Sequence, residues 1–524
     1  MRGCSRRDFL RQTTVTLAMA ALASRAARAD ALTNSPYTAA FIDVSGDELI
    51  LGGRPLSWWI ETFGLPFHVS YAPDIKANLL AYKDLFERLY PRGEVRYAGK
   101  ASTHPAVFRL AAEAGVGIDV ASPYETRCAL EAGVPPEKLD VNGNSKDDDL
   151  INLAISKNML IIADSIAELE RIAQLAKNHQ EAPRVVLRVT GFPLDKVTSP
   201  SIFTAGEWSK FGIFISDVPP LLSRLDGMPV KLLGFHTHIG SQITDLAAYQ
   251  LVLGKLIELG TALRTAGQKF EVVNIGGGFP VSYVTQAEWD EILRRIRDGF
   301  LAAKAGDPSK IYLWGNALGG FTMGPDGVPT TTWVGELFTA PYAKEAMLEA
   351  ILSSDVSVDG RTMKATQALA EAGSPALMIE PGRSIVSDSG ITLARVAFEK
   401  RIAGVHNLIS LDLGVVNYCE PIVALPARHW ALATGLKQRD AEPFETFIAG
   451  NLCFSADMLS RLKVAFPRKP VRGDVLLISS TGAYNPTFSA SNANSFPRPA
   501  RLLLEANGDW TYLKRADSYQ EIFS

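Results

Sequence analysis

The chain has 524 residues, of which 47% are hydrophobic and 21% charged, and its net charge is −3. That length allows more than one domain, each with a sizeable core, and the balance is that of an ordinary soluble globular protein. No long basic run is present, so nucleic-acid binding is excluded as a leading function. Four cysteines (Cys4, Cys128, Cys419 and Cys453) lack any regular spacing, and the seven histidines include no HExxH arrangement. Neither a disulfide framework nor a dedicated metal site is expected.

In chain order, residues 1–29 stand apart. Ser5-Arg6-Arg7-Asp8-Phe9-Leu10 is a twin-arginine pattern, followed by an apolar run, Thr13 to Ala23, and by Ala27-Arg28-Ala29. The run is shorter than the ~20 residues a membrane span needs. The segment therefore reads as an export signal of the twin-arginine route, giving a periplasmic protein without a stable membrane anchor. Its removal would take away six arginines and one aspartate and bring the net charge from −3 to −8.

Residues 30–65 are mixed and are expected to join a later β-domain. Asp74–Tyr90 has helical apolar spacing and stops at Pro91. Strand and helix patterns then alternate. The candidate strands are Val95–Ala98, Gly117–Val120, Leu139–Asn142, Leu160–Ala163, Val185–Val189, Leu232–His236, Val272–Ile275 and Ala376–Ile379, with Pro105–Ala114 and Ile166–Lys177 as clear helices between them. Eight such units over residues 66–391 argue for an α/β (β/α)8 barrel with its site at the carboxyl ends of the strands. A doubly wound open sheet is the alternative. It fits less well, since candidate functional residues follow nearly every strand. The last connection is too long for one helix, and residues near 305–372 read as an insert. From residue 392 to 524, short strands with turn signals suggest a β-rich barrel or sandwich domain.

Chemistry-bearing residues cluster at the expected strand ends. The first ends in Tyr97-Ala98-Gly99-Lys100-Ala101. A lysine desolvated there could form an imine with an aldehyde cofactor, although a lysine facing water is the commoner outcome. The sixth leads into His236-Thr237-His238-Ile239-Gly240-Ser241-Gln242, either a flat ring beside a phosphate donor or a core histidine. The seventh leads into Gly276-Gly277-Gly278, which is either a phosphate-hugging backbone or a plain turn. The eighth leads into Glu380-Pro381-Gly382-Arg383. Glu380 could favour protonation of a buried heteroaromatic nitrogen, Arg383 could clamp an anion, or the two could serve in a structural ion pair. Cys453 and Tyr484 follow in the β-rich region, as a candidate proton donor and phosphate ligand or as core residues.

Taken together and in this order, these motifs resemble the fold-type III pyridoxal-phosphate-dependent amino-acid decarboxylases, the family of diaminopimelate, ornithine and arginine decarboxylases. The likeness runs over roughly residues 60–505, outside the insert. Gly117-Ile118-Asp119-Val120-Ala121-Ser122, Asn142-Gly143-Asn144-Ser145-Lys146, Ser209-Lys210-Phe211-Gly212 and Asp412-Leu413-Gly414 agree with it. The resemblance implies pyridoxal 5'-phosphate held on Lys100 as a Schiff base, with His238 stacked on its ring. Ser241, Gly276, Gly277, Gly278, Gly382, Arg383 and Tyr484 would hold the phosphate. Glu380 would pair with the ring nitrogen, where racemases of similar fold place an arginine. Cys453 would return a proton to the substrate carbon from a partner subunit, in a homodimer with shared sites.

Departures from the diaminopimelate pattern bear on the substrate. Phe454 follows the cysteine where a glutamate is usual, Glu420-Pro421 replaces an Arg-Pro, and Ala493 replaces an aromatic residue. A carboxylate in place of a cation should repel a distal carboxylate. The expectation is an amino acid with a basic or neutral side chain, contacted by Glu420, Phe454 and Asp457. An amino-acid racemase and a non-catalytic pyridoxal-phosphate-binding protein are the alternatives.

Overall fold

A computed structural model describes residues 40–194, 204–225, 227–316, 324–325, 338–418, 427–484 and 492–523. Eight parallel strands, Gly93–Ala98 (β1), Gly117–Val120 (β2), Leu139–Val141 (β3), Leu160–Ala163 (β4), Arg184–Thr190 (β5), Lys231–His236 (β6), Val272–Asn274 (β7) and Ala376–Ile379 (β8), pair in chain order. The cylinder closes where Leu377, Met378 and Ile379 of β8 meet Gly93, Glu94 and Val95 of β1. Closure excludes the open doubly wound sheet.

Strand alternation divides the core in two. Leu160 and Ile162 of β4 join Val186, Leu233, Val272 and Met378 in one small apolar cluster. Their neighbours Ile161, Ala163, Val185 and Leu187 belong instead to the large cluster shared with the helices. The first group is therefore the barrel's filling. On the β1–β3 side the interior is polar: buried Arg96 donates through Nε to Asp140 at 2.9 Å and pairs with Glu94 at 2.7 Å. Several helices start on one repeated device. Ser122 and Ser165 accept from the backbone N–H of Glu125 and Glu168, each at 3.1 Å, and those glutamates reach back to the N–H of Ala121 and Asp164. Each such cap fixes the loop at a strand's carboxyl end, where the site lies.

The β-rich domain is assembled from both ends of the chain. Phe67–Tyr71 pairs antiparallel with Gly390–Ile402 and parallel with Ala500–Leu504, and Gly390–Ile402 continues to His406–Leu411 and Val475–Ile478. Leu51, Leu56 and Trp59 pack with Phe67, Ile391, Val475 and Leu502 in one core, so residues 40–64 pack into the β-domain. The boundary expected at 66 moves, because strand Phe67–Tyr71 lies in that sheet and the barrel portion starts at helix Ala72–Leu89.

The expected insert splits. Helix Glu345–Ser353, hairpin Asp355–Val358/Arg361–Lys364 and helix Ala365–Glu371 coat the barrel, with Met347, Ile351, Val356 and Leu369 in its main core. The insert's start, the turn to Trp314, faces the β-domain together with the preceding helix Gln286–Lys304. Arg295 pairs with Glu445, Trp314 stacks edgewise on Phe447 at 5.2 Å, and Leu313 bridges to Leu462.

Candidate active site

β1 delivers Lys100 on a short 3-10 turn, Gly99–Ala101. Gly99 is needed there, since a Cβ would stand 2.7 Å from the Phe108 ring. The ammonium of Lys100 lies 3.8 Å from Oδ2 of Asp119, which β2 points into the barrel. Burial works against the Lys100 charge, but Asp119, Tyr484 and Glu380 outweigh it and raise its pKa above the ordinary lysine value. In this state the lysine is an ammonium.

Residues from β5 to β8 stand side by side around the same space. Arg188 is the register partner of His236, and His236 that of Asn274. Asn274 accepts through Oδ1 from the Gly276 N–H at 2.8 Å, which turns its Nδ2 to donate to Glu380 Oε1, also at 2.8 Å. His236 Nε2 lies 3.1 Å from that same oxygen. Glu380 is 2% exposed. Burial alone would raise its pKa, but His236, His238 and Lys100 together hold it below the usual range. Asp119, facing the same space, is pushed up by burial and by the Glu380 charge. Of these two carboxyls, Glu380 is the stronger acid and Asp119 the weaker.

His238 turns its Nδ1 to accept from the Gly277 N–H at 3.0 Å. That bond leaves the ring proton on Nε2, and burial with the nearby Lys100 and Arg188 charges keeps the imidazole neutral. The result is a flat, oriented ring. Gly276 has φ +68°, and a Cβ would sit 2.4 Å from the Thr237 carbonyl; one on Gly277 would be 2.3 Å from that of Glu380. Beside this turn Arg383 donates to Ser241 Oγ at 2.9 Å and to the Tyr283 hydroxyl at 2.8 Å, and it lies 5.0 Å from the centre of the Tyr484 ring. Tyr484 adopts φ +61°, and its N–H donates to the Ala101 carbonyl at 2.9 Å, tying the β-domain to the lysine turn. A Cβ on Gly382 would meet Ala98, Ala101 and the Tyr484 hydroxyl at 3.0, 3.1 and 3.4 Å.

These residues fit pyridoxal phosphate. A glycine cradle stands beside one arginine, a serine and two phenols, suited to a dianionic phosphate. A neutral ring, a buried carboxylate and an amine surround the space next to it. Asn274, His236, Asp119 and Tyr283 were not assigned from sequence. The histidine was visible in its motif, but its approach to Glu380 depends on strand register.

The substrate side is different. Cys453 is exposed, and its N–H donates to Asn494 Oδ1 at 3.0 Å. Phe454 is 57% exposed. Asp457, expected to meet substrate, is instead 3% exposed, with its carboxylate accepting from the N–H groups of Val415 at 2.6 Å and Leu452 at 2.7 Å. It braces the cysteine loop, since a carboxylate so engaged has little left for a ligand. Glu420 lies outside the described residues.

Comparison with known proteins agrees with this geometry. Residues 74–311 match the family model "Pyridoxal-dependent decarboxylase, pyridoxal binding domain". Diaminopimelate decarboxylase of Bacillus subtilis is 28% identical over 479 residues, covering 90% of this chain and 94% of that protein. The enzyme of that name from Archaeoglobus fulgidus is 28% identical over 479 residues, covering 90% and 96%. The crystal structure of diaminopimelate decarboxylase from M. jannaschii in co-complex with L-lysine superposes with a TM-score of 0.71 at 25% identity, covering 92% of this chain and 96% of that one. The lysine turn and the glycine cradle lie within the matched pyridoxal-binding domain, and over nearly the whole chain the protein is similar to pyridoxal-phosphate-dependent decarboxylases of the fold-type III kind.

Proposed function

We propose that the protein decarboxylates an α-amino acid whose side chain ends in a neutral or cationic group, that it acts as a homodimer, and that it does so after export by the twin-arginine route. The observation that carries the reaction is Glu380, ionised at the end of β8. Bound pyridoxal phosphate supplies the electron sink for the electrons left when carbon dioxide departs. The chain's own residues do the rest. Lys100 holds the cofactor, and Glu380 favours a proton on the ring nitrogen. His238 covers one ring face, while Arg383, Ser241, Tyr484 and the Gly276–Gly278 turn hold the phosphate. An arginine opposite the ring nitrogen would weaken the sink and suit racemisation; the carboxylate supports decarboxylation.

The exposed Cys453 supports the dimer, because a proton donor to a buried carbon must be covered by something outside the single chain. For the substrate, Glu420 in place of an Arg-Pro arginine and Phe454 after the cysteine support a far end that is not a carboxylate. Diaminopimelate is the second reading, favoured by the names of the relatives. Carbon dioxide release from a panel of L-, D- and meso-amino acids separates the two. Faster turnover of lysine, ornithine or arginine than of diaminopimelate is expected, and the reverse order would overturn the substrate assignment.

A further inference from the structure

Glu380 is gripped through a single oxygen. Asn274 Nδ2 and His236 Nε2 both approach Oε1, at 2.8 and 3.1 Å. Asn274 cannot turn away, because its Oδ1 is bound to the Gly276 N–H. His236 is fully buried on β6 beside it, and no contact with the cofactor has been assigned to it. We propose that His236 is a positioning residue, donating from Nε2 to Glu380 Oε1 and leaving Oε2 of the glutamate for the cofactor's ring nitrogen. The inference rests on the reading of Glu380 as the partner of that nitrogen.

The charges around Glu380 explain why a second donor is needed. Lys100 from the β1 turn and Arg188 from β5 are cationic neighbours, while Asp119 of β2 and Asp140 of β3 are acidic ones. His236 and His238 lie on and just beyond β6, both held neutral by burial. Were Lys100 to hold the cofactor, its free ammonium would no longer stand in this set. Glu380 then depends on neutral donors to remain an anion in a buried site, and those are Asn274 and His236. Without His236 the carboxyl group takes up a proton more readily, and the ring nitrogen loses its anionic partner.

The test is 15N NMR of the holoenzyme reconstituted with pyridoxal phosphate labelled at the ring nitrogen, titrated through neutral pH. The wild type should show the protonated nitrogen throughout. His236→Leu should move the signal toward that of a neutral pyridine and loosen cofactor binding about tenfold, the value of one lost hydrogen bond to a charged group. His236→Gln, which keeps an amide donor, should restore the wild-type signal. If the leucine variant does not fold, His236→Ala is read in the same way. Glu380→Gln is the control. A changed signal in Glu380→Gln with wild-type signals in the His236 variants overturns the positioning role alone. An unchanged signal in Glu380→Gln overturns the reading of Glu380, and the role of His236 falls with it.

Discussion

Around Glu380 the polar groups meet one another within one chain, whereas around Cys453 the chain offers an exposed thiol, an exposed phenyl ring and a carboxylate turned inward. The first region hangs on barrel strands, whose register places Arg188, His236 and Asn274 side by side. The second hangs on a loop that its own Asp457 braces. Cofactor chemistry needs groups fixed to a fraction of an ångström, which strands provide. A loop on a β-domain can be presented to another subunit and varied for substrate without disturbing the barrel.

The most severe way to break this contrast is Lys100→Ala, which should abolish turnover of every amino acid while leaving the fold intact by circular dichroism. Residual turnover would contradict the role of Lys100. Cys453→Ala should lower kcat by about 10²–10⁴-fold, the usual range for a lost general acid. If the two halves come from different subunits, mixing inactive Lys100→Ala with weak Cys453→Ala protein should recover activity by subunit exchange. Mixtures no better than their components would place both groups in one chain's site.

Arg383→Ala should weaken cofactor binding by about 10–100-fold, since it removes a charge-assisted contact to phosphate. Equilibrium dialysis measures this, and undiminished affinity would remove Arg383 from the phosphate site. Asp457→Ala should cost about 1–3 kcal/mol of stability by leaving two backbone donors unpaired, read as a lower urea midpoint. A change in substrate preference with no loss of stability would return Asp457 to the substrate side.

The last expected effect is electrostatic. In the cofactor-free protein Asp119 has its pKa raised above the ordinary aspartate value, first by burial and then by Glu380. The native state therefore holds a proton that the unfolded chain releases, and the stabilisation present at low pH is lost as pH rises above that ordinary value. Asp119→Asn should abolish this loss, which amounts to at most about 1.4 kcal/mol per pH unit. Identical slopes for the two proteins would show that Asp119 is ionised beside Lys100.

Much of the barrel could be read in advance, because each strand is short, apolar and bounded by glycine, proline or a cap. Gly117–Val120, Leu160–Ala163 and Ala376–Ile379 match to the residue. The boundary at 66 was missed because Phe67–Tyr71 reads equally well as a strand of either domain, and only its pairing with Gly390–Ile402 assigns it. The insert was misjudged for a related reason. Glu345–Glu371 coats the barrel through Met347, Ile351 and Val356, contacts made to distant parts of the chain.

At the site, sequence alone determined which functional groups are available: an amine, a glycine turn, a carboxylate, an arginine and a phenol, each placed by its motif after a strand or in the β-region. Their state was decided by the tertiary structure. Glu380 is the stronger acid of the pair with Asp119 because His236 and Asn274 converge on one of them and not on the other. Asp457 is a brace because Val415 and Leu452 turn their N–H groups toward it. Burial and hydrogen bonding are properties of residues far apart in the chain. A local motif can name a group, but its charge and its partner are set by what folding brings beside it.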